Sequence, residues 1–195
     1  MIRSAILILF FFSFSRASWS EEKMIQQVEN YFNKIETLQS DFTQLNPDQS
    51  LYKGKFYLKR PGKFRFDYKT PSHYLIVSDG KTLVTYDYDM DNPAYIPLSS
   101  LPVAVLFDKP LHLQDKMIVL DTQDQKDHLS LTLRLKENTG GEKILLHFSK
   151  KPFELKSWII YHPENGITKV ELIHLQKNIK FNDEKTLFRF NENVF

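Results

Sequence analysis

From Asp41 onward apolar and polar residues alternate with a period of two, whereas before it apolar residues recur at helical spacing. Met24, Val28, Tyr31, Ile35 and Leu38 share one helical stripe, with Glu, Gln, Asn and Lys between them. That pattern predicts one amphipathic N-terminal helix. Phe64, Phe66 and Tyr68 then alternate with Lys63, Arg65, Asp67 and Lys69, while Thr82, Val84, Tyr86 and Tyr88 alternate with Leu83, Thr85 and Asp87. Leu129, Leu131, Leu133 and Leu135 alternate strictly with His128, Ser130, Thr132, Arg134 and Lys136. Such segments predict antiparallel strands with one wet face. Pro61-Gly62, Asp79-Gly80, Gly140-Gly141 and Asn165-Gly166 supply turn residues between them.

One segment breaks the alternation. Ser99 and Ser100 are suited to capping, Pro102 falls in the first turn, and the run stays apolar to Phe107 before Asp108-Lys109-Pro110. It predicts a short helix, Leu101 to Phe107, that is apolar nearly all round and needs cover on more than one side. In a chain otherwise made of strands, the concave face of the sheet supplies that cover. The expected fold is mainly β with α. It is an incomplete, unclosed antiparallel barrel of about 11 strands, capped by the N-terminal helix and the apolar lid helix.

Within the strand Lys53 to Arg60, Gly54, Phe56, Leu58 and Arg60 share one face, and Lys53, Lys55, Tyr57 and Lys59 the other. Arg60 is thus in phase with the apolar side. A guanidinium keeps its proton and is costly to bury without acceptors. Either acceptors wait for Arg60 inside, or the register slips at Pro61 and the side chain reaches water.

Met1 to Ser20 reads as a secretory signal, with Arg3 at its start, an apolar run from Ala5 to Phe14, and cleavage expected after Ala17 or Ser20. The remaining stretch, 21–195, is long enough for a single domain with one core. No cysteine occurs, which excludes a lipidated cysteine, disulfides and thiolate chemistry. Removing Arg3 and Arg16 with the signal balances 24 basic residues against 24 acidic ones, and nothing in that balance asks for nucleic acid. The local exception is a basic face of Lys53, Lys55, Lys59, Lys63 and Arg65, extended by Lys69. It is either the solvated side of a sheet or a surface for an anionic membrane or an acidic partner.

Several blocks together resemble the LolA family of periplasmic lipoprotein carriers. They are Phe42-x-Gln44, Gly54-Lys55-Phe56, the run from Lys59 through Arg60-Pro61-Gly62 to Tyr68, Pro71, the run from Val77 through Asp79-Gly80 to Leu83, and Tyr86-Asp87. The resemblance implies an unclosed barrel whose apolar cavity holds acyl chains. It implies a monomeric periplasmic carrier of a Gram-negative bacterium. Such a carrier takes triacylated lipoproteins from an inner-membrane lipoprotein-releasing ABC transporter and hands them to an outer-membrane acceptor lipoprotein. A carrier is needed because an acyl chain contributes about 0.8 kcal/mol per buried methylene, so a triacylated protein does not leave a membrane readily. By the same resemblance Arg60 is the lid latch, with acceptors expected among backbone carbonyls near the end of the Leu101 to Phe107 helix. The cavity lining would be drawn from Phe56, Leu58, Phe64, Phe66, Val84, Tyr86, Val103, Leu106 and Phe107, several of which are equally suited to ordinary core. Two departures stand out. The chain stops at Phe195 where some members continue, and Val84 stands where members often carry tryptophan.

An enzyme is not expected. The histidines at 73, 112, 128, 147, 162 and 174 form no His-Glu-x-x-His pair, and there is no nucleophile elbow, phosphate loop or dinucleotide glycine pattern. Asp87-x-Asp89-x-Asp91 begins like a calcium loop, but Asn92 replaces its glycine and Leu98 its glutamate. No metal and no cofactor are expected, although His147, His162 and His174 could approach one another across strands. The alternative function is a periplasmic lipid-binding or envelope-sensing module that puts the same half-barrel to a different apolar ligand.

Overall fold

Short turns bring each alternating segment back beside its predecessor, so neighbours in sequence become neighbours in the sheet. The computed structural model describes residues 17–137 and 140–190. One antiparallel meander comprises β1 (Thr37–Leu45), β2 (Leu51–Lys59), β3 (Lys63–Thr70), β4 (Tyr74–Asp79), β5 (Thr82–Asp87) and β6 (Asn92–Pro97). A second comprises β7 (Met117–Asp124), β8 (His128–Leu135), β9 (Lys143–Lys150), β10 (Phe153–His162) and β11 (Gly166–Lys177). Pairing of β1 with β11 joins them into one 11-stranded sheet, ordered β6-β5-β4-β3-β2-β1-β11-β10-β9-β8-β7. Among the described residues the two edges, β6 and β7, do not pair. The barrel is therefore unclosed, as expected.

The sheet curls strongly. Phe66 on β3 and Trp158 on β10 are four strand spacings apart, about 19 Å on a flat sheet, yet their rings meet at 6.2 Å. Helix α1 (Ala17–Asn33) lies on the inner face and buries Met24, Ile25, Val28, Tyr31 and Phe32. Tyr31 and Phe32 pack edge-on against Phe148 of β9 at 5.5 and 6.2 Å. The helix is shorter than its apolar stripe suggests. Ile35 lies in the following turn and Leu38 in β1, because from Thr37 the chain pairs with β2, and from Leu38 with β11 as well. Both side chains still enter the same core.

The segment between the edge strands runs over the inner face. It is 3₁₀ in character, Leu98–Ser100 and Pro102–Phe107, rather than one α-helix, and Leu101, the residue before the second turn, makes no side-chain cap. A single α-helical turn, α2 (Leu113–Lys116), leads into β7. Of the expected signal, residues 1–20, positions 1–16 lie outside the described residues.

Gly54 shows how tightly the inner layer is built. A Cβ there would stand 2.2 Å from the Asp67 carbonyl oxygen and 2.9 Å from the Phe42 ring, which packs over this position against Phe66 and Tyr68. Backbone cannot yield as a flexible side chain can. Gly54→Ala is expected to lower unfolding free energy by about 1 to 3 kcal/mol. Urea denaturation checks this, and a midpoint equal to that of the wild type would contradict it.

Candidate functional site

The inner face is an aromatic layer closed by the 3₁₀ segment. Phe56 stacks on Phe66 at 4.4 Å, and Phe107 from the cover meets Phe64 at 5.0 Å and Phe56 at 6.2 Å. Phe56, Leu58, Phe64, Phe66, Leu106 and Phe107 are buried in this one cluster, and Val103 packs against it half-buried. Phe42 and Trp158 complete the layer although they are absent from the sequence-based lining. For Trp158 the signal was its phase with Ile160 on a strand with no other tryptophan.

Val84 and Tyr86 lie elsewhere. They form a separate cluster with Leu75 and Val77 on the outer face, joined by Tyr88 and Phe190. The register explains the difference: Leu83 opposes Ser78, which opposes the inward Phe64, so Val84 and Tyr86 must point outward. A one-residue change of phase exchanges the two faces of a strand.

Arg60 is only 3% exposed. Of its two possible environments it takes the interior one, and its Nη1 donates to the Phe32 carbonyl near the end of α1. The acceptor therefore lies on the N-terminal helix instead of the cover. The cover's terminal carbonyl, Phe107 O, accepts from Gly62 N–H at 3.0 Å. Gly62 has φ +67, a left-handed conformation that glycine adopts freely at this turn. Arg60 Nε and Nη2 are buried and find no hydrogen-bond acceptor among the described residues. Burial pulls the guanidinium pKa down to about 10, partly opposed by the charges of Asp108 and Glu36. This is a cation held inside with most of its donors unused.

The basic residues of the 53–65 stretch occupy the outer face. Lys55 lies 3.4 Å from Asp41, Arg65 is 3.6 Å from Asp67, and Lys59 pairs with Glu184, while Lys53 is exposed and Lys63 half-buried. Glu184 belongs to α3 (Glu184–Leu187), part of a C-terminal strap that crosses this face. The strap starts where Asn178 N–H bonds Thr37 O at 2.8 Å, passes Phe181 over Tyr57 at 6.0 Å, and brings Phe190 to Tyr86 at 5.0 Å. Part of the predicted basic face is thus covered or neutralised by the chain itself.

The three strand histidines stay apart. His147 contacts Ser130 at 3.0 Å and the His128 ring at 5.0 Å, His162 contacts Glu142 and Thr168, and His174 contacts Asp41.

Comparison with known proteins adds a family match. The family model described as outer membrane lipoprotein carrier protein LolA matches residues 33–191. An outer-membrane lipoprotein carrier protein of Methylococcus capsulatus (strain ATCC 33009 / NCIMB 11132 / Bath) is 32% identical over 139 residues, covering 67% of this chain and 66%, just under two thirds, of its own. A protein of the same name from Legionella pneumophila (strain Lens) is 28% identical over 203 residues, covering 98% of this chain and 95% of its own. Among solved structures, a DUF1329 family protein from Desulfovibrio piger ATCC 29098 superposes with a TM-score of 0.54 at 10% identity, covering 88% of this chain and 98% of that one. That last likeness is one of fold alone.

The under-bonded guanidinium makes a stability prediction. Burial disfavours its charged form in the folded protein, so the charge costs folding free energy against which its one bond is set. At neutral pH, Arg60→Leu is expected to lower unfolding free energy by no more than about 1 kcal/mol, because the lost bond to the Phe32 carbonyl is largely offset by relief of a poorly paired buried charge. Chemical denaturation of both proteins at pH 7 checks this. A large loss of stability at pH 7 would count against the assignment.

Proposed function

The chain belongs to the family of the outer membrane lipoprotein carrier protein LolA, and on that footing we propose that it is a periplasmic carrier of triacylated lipoproteins. In this proposal it takes them from an inner-membrane ABC transporter, shields their acyl chains against the inner face of the sheet, and delivers them to an outer-membrane acceptor. It works as a monomer exported by residues 1–20, and by binding and release, with no covalent step.

One observation carries the reading: an apolar aromatic layer of acyl-chain character lies under a short segment that connects the two unpaired sheet edges. Acyl chains replacing Phe107 and Leu106 exchange one apolar contact for another, so binding needs little net change in buried apolar area. Water is what the exchange avoids. The single bond from Arg60 to the Phe32 carbonyl suits a latch, since a charged donor contributes about 1.5 to 3 kcal/mol and the unused donors gain water on opening.

The test adds the purified protein to Gram-negative spheroplasts lacking their own carrier and assays the supernatant for triacylated lipoproteins in one-to-one complexes with it. Release is expected, and Arg60→Leu should reduce loading or handover several-fold while the variant remains folded. Phospholipid or another lipid recovered from the protein without any lipoprotein release would move the function to general lipid binding.

A further inference from the structure

Helix α1 and the stretch that follows the 3₁₀ cover run side by side in opposite directions, and their polar contacts fall in register. Glu29 Oε1 accepts from Leu113 N–H at 2.7 Å. The Asn33 carboxamide takes both sides of one residue, with Oδ1 accepting from Leu111 N–H at 2.7 Å and Nδ2 donating to Leu111 O at 3.0 Å. Glu36, just beyond the helix, pairs with Lys109. Positions 29, 33 and 36 thus meet positions 113, 111 and 109.

The spacing has a geometric basis. Four helical residues rise about 6 Å and two extended residues span about 6.6 Å, so alternate residues of an extended segment match successive turns of a helix. Residues four apart also share a helix face. Leu111 and Leu113 are almost completely buried, which gives their peptide groups no water to fall back on and makes the side chains of α1 their required partners.

On the other side, Asn178 and the Arg60 backbone N–H hold residues 34 and 36 just past the helix, whereas the helix and the cover themselves are tied to the sheet by few hydrogen bonds. Arg60 binds the Phe32 carbonyl, one residue before Asn33, and Gly62 binds the Phe107 carbonyl. We propose that Asn33, flanked by Glu29 and Glu36, is a positioning residue that fastens segment 109–113 to helix α1, so that freeing Arg60 releases helix and cover as one body. This rests on the carrier reading in that it concerns how the inner face is uncovered.

Amide hydrogen exchange resolved residue by residue on the purified protein tests it without cargo. In Arg60→Leu, the amides of Leu111 and Leu113 and those of the last turn of α1 should accelerate by a common factor. Adding Asn33→Ala should then make Leu111 and Leu113 exchange roughly tenfold faster than that turn, as expected for losing a pair of hydrogen bonds. Glu29→Ala should accelerate Leu113, whereas Glu29→Gln, which keeps an acceptor, should not. The proposal fails if Arg60→Leu accelerates neither element or only one, if Asn33→Ala leaves the amides coupled, or if it accelerates β8 to β10 equally and so acts only on global stability. A protein that releases no lipoprotein yet shows coupled exchange loses the carrier reading alone. One that releases lipoprotein with independent exchange loses this inference alone.

Discussion

A sheet that curls without closing has an apolar inner face and two open edges, and the rest of this structure is arranged around those two needs. The edges are consecutive strands, so the chain that must travel from β6 to β7 is also the chain that covers the inner face. The edges carry their own protection. β6 contains Pro93 and Pro97, and β7 has a register shift between Val119 and Asp121 and ends in Asp124. Prolines, bulges and charges at sheet edges oppose pairing with other chains.

The cover is held by terms of a different kind from those that hold the sheet. Every strand is tied by a ladder of backbone bonds, whereas the 3₁₀ segment rests on the burial of side chains such as Phe107 and on single bonds at Gly62 and Lys81. Full burial of one large apolar side chain is worth about 1.5 to 3 kcal/mol. Regions held by a few such terms open well below the free energy of global unfolding. Arg60 sits at this boundary, buried enough to be destabilised as a cation and bonded enough to stay.

Much of this was legible from spacing alone. The period of two delivered the strands, and the phase of Arg60 with Phe56 and Leu58 put it on the apolar side, because both properties are local to one strand, but whether the register slips at Pro61 was left to the fold. Val84 and Tyr86 were misplaced for the opposite reason. Leu83 and Val84 are adjacent and both apolar, so the strand's own pattern leaves its phase open, and the pairing with β4 decides it. The acceptor of Arg60 depends on where α1 ends relative to the end of β2, a distance in space that neither segment encodes. Likewise the match of Glu29 and Asn33 to Leu113 and Leu111 spans 84 and 78 residues of sequence. Only the fold sets it.

The outer cluster bears on how such a protein can expose its inner face and remain folded. Leu75, Val77, Val84 and Tyr86 pack on the side away from the cover, with Phe190 of the strap against Tyr86. Strands β4 and β5 therefore keep apolar contacts when the inner layer parts from Phe107. On the opposite half, α1 packs on Phe148 and Phe153 through Tyr31, in the same helical turn as the Phe32 carbonyl that binds Arg60, so these contacts part together with the cover when the two move as one body. With the half containing β4 and β5 supported from outside and every strand held by its ladder of backbone bonds, helix and cover can leave the aromatic layer without dismantling the sheet beneath them.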